Sequence, residues 1–448
     1  MRLIRNWRRS TSLWKTPCMM RKKPPRLKNC MKRSASCRRP WKKNCFPLSA
    51  LPGISTARMG TDMRTKPNHH SQLTLTRRQL ARGLALGGLA MAVPGWAFAA
   101  KQATSGSAAA GALFSSVNGA GGDSLLILWS LQGDILMEHA LPGRGHGVAR
   151  HPSGEEFVLV GRRPARFAAV VRRQADGEPS YEEFSSAEGR HFFGHACYSR
   201  DGRYLYTTEN DYASGRGVIG VRDAQDGYRQ VGEWSSGGIG PHELRLSADG
   251  KALVVANGGI LTHPDNPREK LNPDAMEPSL AYIDIASGEL LERWELEDKK
   301  LSIRHLDVAD DGTVCFGCQY EGPITDTPPL VYMHKSGSPI QAASAEYSLW
   351  RSLKNYTGSV VINSQLRVAG ITSPRGDSIT LWNLDAHKCV GKISLPDVCG
   401  LSLTPDGKEF LASSGEGEVI RVDPLTMKVE QHWSVAGTRW DNHMTLAG

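Results

Sequence analysis

One spacing limits the folds open to this chain more than any other feature. A turn glycine returns at Gly154 (HPSG), Gly202 (SRDG), Gly250 (SADG), Gly312 (ADDG), Gly358 (NYTG) and Gly407 (TPDG), at intervals of 48, 48, 62, 46 and 49 residues. A period near 48 fits one four-stranded propeller blade. The long interval holds an insertion after Ile260, LTHPDNPREKLNPDAMEP. A short run of β-formers follows each turn: EFVLVG, YLYTTE, ALVVAN, TVCFGC, SVVIN and EFLASS. Runs such as LAYIDIASGE and ITLWNLDAHK come next, then polar outer runs such as LLERWELE. β-Branched and aromatic residues between Gly/Asp turns are a hairpin signature. No amphipathic helix stands out.

The ends of the chain complete the count. Residues 112–141 supply three strands, in LFSSVNG, SLLILWSLQG and ILMEHALPG, and WDNHMTLAG at the other terminus supplies the missing first strand. Pairing it with the N-terminal three closes the ring and removes two free sheet edges. The expected fold class is all-β: a seven-bladed β-propeller over residues 100–448.

Aligning the repeats on the turn glycine and stepping back seven or eight residues gives His146, His195, His242, His305, Arg351 and Cys399, with His443 in the closing strand. The position opens the first strand of each blade, which lines the central channel of a propeller. Two readings of this ring stand. One is a structural peg at each blade junction. The other is a ligand ring for a metal, haem or an anion, because neutral imidazole suits Fe, Cu and Zn. An arginine in the ring would favour an anion. Glu209, Asn210 and Asn257 follow second strands and are candidates for the rim of one face. Cys315 and Cys318 have CxxC spacing but lie in a β pattern, where they read as strand residues. No GxSxG, HExxH, phosphate-binding loop or c-type haem motif is present.

The formal charge of +10 misleads. Residues 1–100 hold 22 Lys/Arg and one acid, Asp62, which leaves residues 101–448 at a net −11. The basic balance that would suggest nucleic acid is therefore confined to the leader. Residues 59–99 carry Arg77-Arg78, a short Gly/Ala-rich apolar stretch and a small-x-small site at 97–99. This pattern predicts a twin-arginine export signal cleaved after Ala99, and with it a periplasmic location and no transmembrane span in the mature chain. Residues 1–58 read as an over-extended or disordered basic leader. The five cysteines beyond residue 100 are an odd number, which excludes a fully paired disulfide framework.

The phrases FFGHACYSRDGRYLYTTEND, GGIGPHELRLSADG, VVANGGILTHPDNPREKLN, SIRHLDVADDG and DVCGLSLTPDG resemble a bacterial family, domain of unknown function 1513. The resemblance spans about residues 112–446. It implies a twin-arginine-exported periplasmic propeller. It also implies gene neighbours of imelysin-like and di-haem oxidoreductase type, and through them a link to iron uptake, with iron, copper or haem as cofactors to consider. The favoured expectation is a periplasmic binding or scaffold protein with partners of those two types. The alternatives are a propeller enzyme (a metal-dependent lyase or lactonase, or a copper- or quinone-linked oxidoreductase) and a pure protein-interaction propeller with structural histidines.

Overall fold

The computed structural model describes residues 113–118, 123–174, 177–266, 269–435 and 438–448. Arg77, Arg78, Ala99 and the leader 1–58 lie outside the described residues. The described chain folds into seven four-stranded antiparallel sheets, numbered here as blades I to VII in chain order. Blade II runs outward from Gly145–Arg150 through Glu156–Gly161 and Phe167–Gln174 to Gly177–Ser185. Blades III to VII repeat this plan, with inner strands Arg190–Tyr198, Pro241–Leu246, Leu301–Val308, Val360–Asn363 and Val398–Leu403. Blade I is made from both ends. Its inner strand is Trp440–Leu446, paired to Leu113–Asn118, with Ser124–Trp129 and Ile135–Leu141 outside.

Alternation explains the radial order. Outer strands such as Arg229–Ser235 alternate exposed and half-buried residues, because one face meets solvent. The second strand of blade IV, Ala252–Asn257, is buried at every position, because blades cover both its faces. The core is therefore a series of interblade seams. At the seam of blades VII and I, Trp129 lies edge-on to Trp433 at 5.3 Å and to Trp440 at 6.3 Å between ring centroids. Each inner strand packs on the inner strands of both neighbouring blades, and the circuit closes.

The turns after the inner strands show why the repeat was readable. Ser199 donates to Asp201 at 2.5 Å and Ser247 to Asp249 at 2.6 Å, and each serine oxygen accepts the backbone N–H that opens the next strand. Gly202 and Gly250 then take φ of 73° and 71°, which a side chain would strain. Blade VI departs from this rule. Gly358 precedes the inner strand instead of closing it, and SVVIN contains that inner strand rather than the second, which is Val368–Ser373. Its turn is held by Asn363, whose carbonyl oxygen accepts the Leu366 N–H at 3.0 Å. One short helix, Tyr347–Ser352, precedes blade VI, where no helix was expected. Among the described residues no helix is long and apolar enough to cross a membrane.

The closing strand should carry stability out of proportion to its length. Trp440→Ala is expected to cost about 3–5 kcal/mol in denaturant unfolding, as for other buried aromatics. Leu425→Ala, at a side chain 70 % exposed, should change stability by less than about 0.5 kcal/mol. Equal costs for the two would contradict closure by this strand.

Candidate metal centre

Each ring histidine of blades I to V sits at a break in strand pairing. Register shifts fall between Gly145 and Val148, Phe192 and Ala196, Pro241 and Glu243, and Ile303 and His305, and the closing strand breaks between Trp440 and Met444. A bulge adds a residue to one strand and re-aims its side chain. Here it turns the imidazoles of successive blades toward the axis. Two glycines make the approach possible. A Cβ on Gly194, whose φ is 112°, would lie 2.5 Å from the His146 ring, and one on Gly147 would lie 2.9 Å from His195 Nδ1.

Five imidazoles meet as a result. His146 lies 4.8 Å from His195 and 4.6 Å from His443 between ring centroids. His195 lies 4.5 Å from His443 and 5.3 Å from both His242 and His305. His242 and His305 are 4.6 Å apart, and His305 and His443 4.7 Å. All five are buried. Their nitrogens form two sets, His146/His195/His443 and His195/His242/His305, each with ligand atoms within 4.8 Å of one another. His195 belongs to both.

Hydrogen-bond partners set the tautomers of three rings. His305 Nδ1 is 2.9 Å from Glu243 Oε2. An ionised carboxylate only accepts, so this nitrogen carries the proton and Nε2 is a lone pair. His242 Nε2 lies 3.2 Å from it and therefore donates, which leaves its own Nδ1 buried without a partner. Ser359 spends its hydroxyl proton on Asn442 O at 2.6 Å and so accepts from His443 Nδ1 at 3.0 Å. His443 Nε2 is then a buried lone pair with no partner. His146 Nδ1 and His195 Nε2 are also unpartnered. A buried polar atom left unsatisfied costs about 1–3 kcal/mol.

The electrostatics keep four of the rings neutral. His146, His195, His242 and His443 are held well below the ordinary imidazole value, first by burial and then by one another. For His195, Glu243 partly opposes the shift. Burial also resists ionisation of Glu243, but Arg245, His195 and His305 outweigh it and hold the carboxyl at about 2. Arg245 reaches Glu243 at 2.8 Å and faces Asp307 at 3.7 Å. A carboxylate behind a ring nitrogen is the usual orienting partner of a metal-bound histidine.

Two funnels are lined in part by inner-strand residues. One, of about 620 Å³, reaches His195, His443, Glu243, Arg245 and Asp307. The other, of about 840 Å³, reaches Arg144, Cys399 and Asn442.

Residues 139–447 match a family described as "Protein of unknown function (DUF1513)". The chain belongs to the DUF1513 family. No curated protein matches the sequence. Among solved structures, the chain is similar to the Kuenenia stuttgartiensis hydrazine synthase, with a TM-score of 0.51 and 16% identity over 75% of this chain and 99% of that one. At that identity the likeness concerns the fold alone.

Some residues expected in the ring of this DUF1513 member are elsewhere. Arg351 lies exposed on the short helix, because the alignment took Gly358 for a turn glycine. The blade VI position is Ser359. Cys399 is at the ring position of blade VII, but its thiol donates to Asp397 O at 3.0 Å and burial pushes it up to about 12. It does not join the imidazole sets. The three expected rim residues are buried and structural. Glu209 pairs with Arg222 at 2.8 Å. Asn210 donates to Thr262 O at 3.1 Å, fastening the insertion, and Asn257 accepts from Ser236 at 2.7 Å. Cys315 and Cys318 are free and buried in the core. The sequence reading missed Glu243, Arg245, Ser359 and Asp441. Glu243 and Asp441 had a signal, since each lies within two residues of a ring histidine.

Acid should expose the buried neutral imidazoles. Four rings titrate lower in the folded chain than the value of about 6.5 expected when unfolded. Below that pH the unfolded chain binds more protons, so stability falls by up to about 1.4 kcal/mol per pH unit per histidine until the folded rings protonate. With chelator present, melting temperature should be flat from pH 7 to 8 and drop steeply below about 6.5. His242→Gln should make the drop shallower. An unchanged slope would mean that the ring is not buried and neutral.

Proposed function

We propose that this protein is a metal-binding propeller in which the five-histidine cluster holds a transition-metal ion, with copper or iron the leading candidates. The supporting observation is the set of buried imidazole nitrogens on His146, His195, His242 and His443 with no hydrogen-bond partner. Nitrogens around one ion at metal-bond length lie about 3.3 Å apart, so modest ring rotations within either set would be needed to share one. The rings pack edge to edge, which leaves no room for a porphyrin between them and disfavours haem here. We place the protein in the periplasm, exported by the twin-arginine route through Arg77 and Arg78 and cleaved after Ala99. There it would act as a binding or scaffold protein in iron handling, beside imelysin-like and di-haem oxidoreductase partners.

A second reading is favoured by the 620 Å³ funnel, which reaches His195 and His443. A metal with an open position toward a cavity is the arrangement of a catalytic site. Turnover by the metal-loaded protein would then be expected, as a lyase, lactonase or oxidoreductase.

The deciding experiment is elemental analysis with a visible spectrum of residues 100–448, exported through the native leader. Close to one equivalent of metal is expected. The double variant His195→Ala/His443→Ala, shown by circular dichroism to be folded, should lose it, whereas Arg351→Ala should keep it. A wild-type protein that takes up neither copper nor iron nor zinc after dialysis against each would reduce the cluster to a structural plug.

A further inference from the structure

We infer that the second funnel binds a small multivalent oxyanion, a polycarboxylate or a phosphate, on an arginine-lined wall that abuts the histidine cluster. The funnel has a volume of about 840 Å³, and its lining includes Arg144, Arg162, Arg375 and Arg439 against Asp397 and Glu416. That volume suits a small ligand rather than a protein segment. The positive wall stands out on a chain whose residues 101–448 carry a net −11, and such a local reversal concentrates anions at a mouth.

Of these arginines Arg375 is placed for anion recognition, while Arg144 is already matched by a carboxylate. Asp441 holds Arg144 by two bonds, at 2.5 and 3.0 Å. Arg375 is exposed and lies with its guanidinium 4.5 Å from the Tyr356 ring centroid, which also lines the funnel. Stacking covers one face of the fork and leaves its N–H edges for oxygen atoms. Near this group is Arg304, 5 % exposed, whose nearest carboxylate oxygen, on Glu321, is 3.8 Å away and whose Nε has no partner. Burial, then Arg304 and Arg162, push Arg163 down to about 10. Burial raises the Asp397 carboxyl, with Glu416 and Asp377 adding to it and Cys399 and Arg144 opposing.

The funnel and the cluster share their boundary. Asn442 and Cys399 line the funnel, and Asn442 precedes His443. Asp441 bridges the two, since it holds Arg144 and lies 4.0 Å from His146 Nδ1. The inference does not require a metal in the cluster.

Titration calorimetry on residues 100–448, first stripped of metal and then loaded with copper, tests this with citrate and inorganic phosphate as probes. Binding to both forms is expected, weakening as salt is raised. Arg375→Gln/Arg439→Gln, at two exposed positions, should weaken it by about tenfold or more, a loss of about 1.4 kcal/mol. Tighter citrate assigns carboxylates, and tighter phosphate assigns a phosphoryl group. The inference is overturned if neither probe binds or if the double arginine variant binds as well as the parent. It is also overturned if binding appears only after copper loading and vanishes in His195→Ala/His443→Ala, because the anion would then be a ligand of the metal alone. Absence of copper uptake with anion binding intact would count against the metal reading and leave this one standing.

Discussion

Seven inner strands must share one axis, and that constraint governs the rest of the molecule. Each blade contributes a single strand to the middle, and the strands lean on one another in a closed circuit. The five histidines aimed inward are buried there. In most of a protein interior such polar groups would be replaced or paired. Here five imidazoles converge and are only partly paired. The backbone accepts this through bulges in the inner strands and through Gly147 and Gly194, whose missing side chains leave room for the rings.

The partial pairing has a direction. Glu243 fixes the proton of His305, and Ser359 fixes that of His443, so in both rings the lone pair is Nε2. Glu243 is itself kept ionised by Arg245. Glu243 is buried while Arg245 is half-buried, so the carboxylate depends on the arginine and on His305 for its partners. The pairing orients the bases, while burial holds His146, His195, His242 and His443 below the ordinary imidazole value. A purely structural peg would need the first of these and not the second.

The fold was legible because it is written in local turn chemistry. A Ser or Thr, an Asp two residues on and a glycine after it recur where an inner strand ends, at Gly202, Gly250 and Gly407. The two ends of the chain showed complementary deficits of one strand and three. Blade VI was misread because Asn363 does the work of that turn without a glycine, which moved the ring position from Ser359 to Arg351. The histidines were legible as a set for the same reason that the turns were. Their orienting groups were not. Bulges change the facing of a strand by one residue, and no spacing rule shows where they fall. Glu209, Asn210 and Asn257 misled because loop-like residues at the end of a second strand are, in this molecule, buried clamps between neighbouring segments.

The seam in blade I joins Leu113–Asn118 to Trp440–Leu446, residues more than three hundred positions apart. Contacts of such sequence separation form late, because the loop entropy must be overcome before they are rewarded. Until Trp440–Leu446 has been made, the three strands from Leu113 to Leu141 have no inner partner and the circuit has a gap. The imidazole cluster is incomplete for the same interval, since His443 lies on that strand. Closure of the ring and completion of the centre are thus one event, and a chain without Trp440–Leu446 would lack both the latch and one of the five rings.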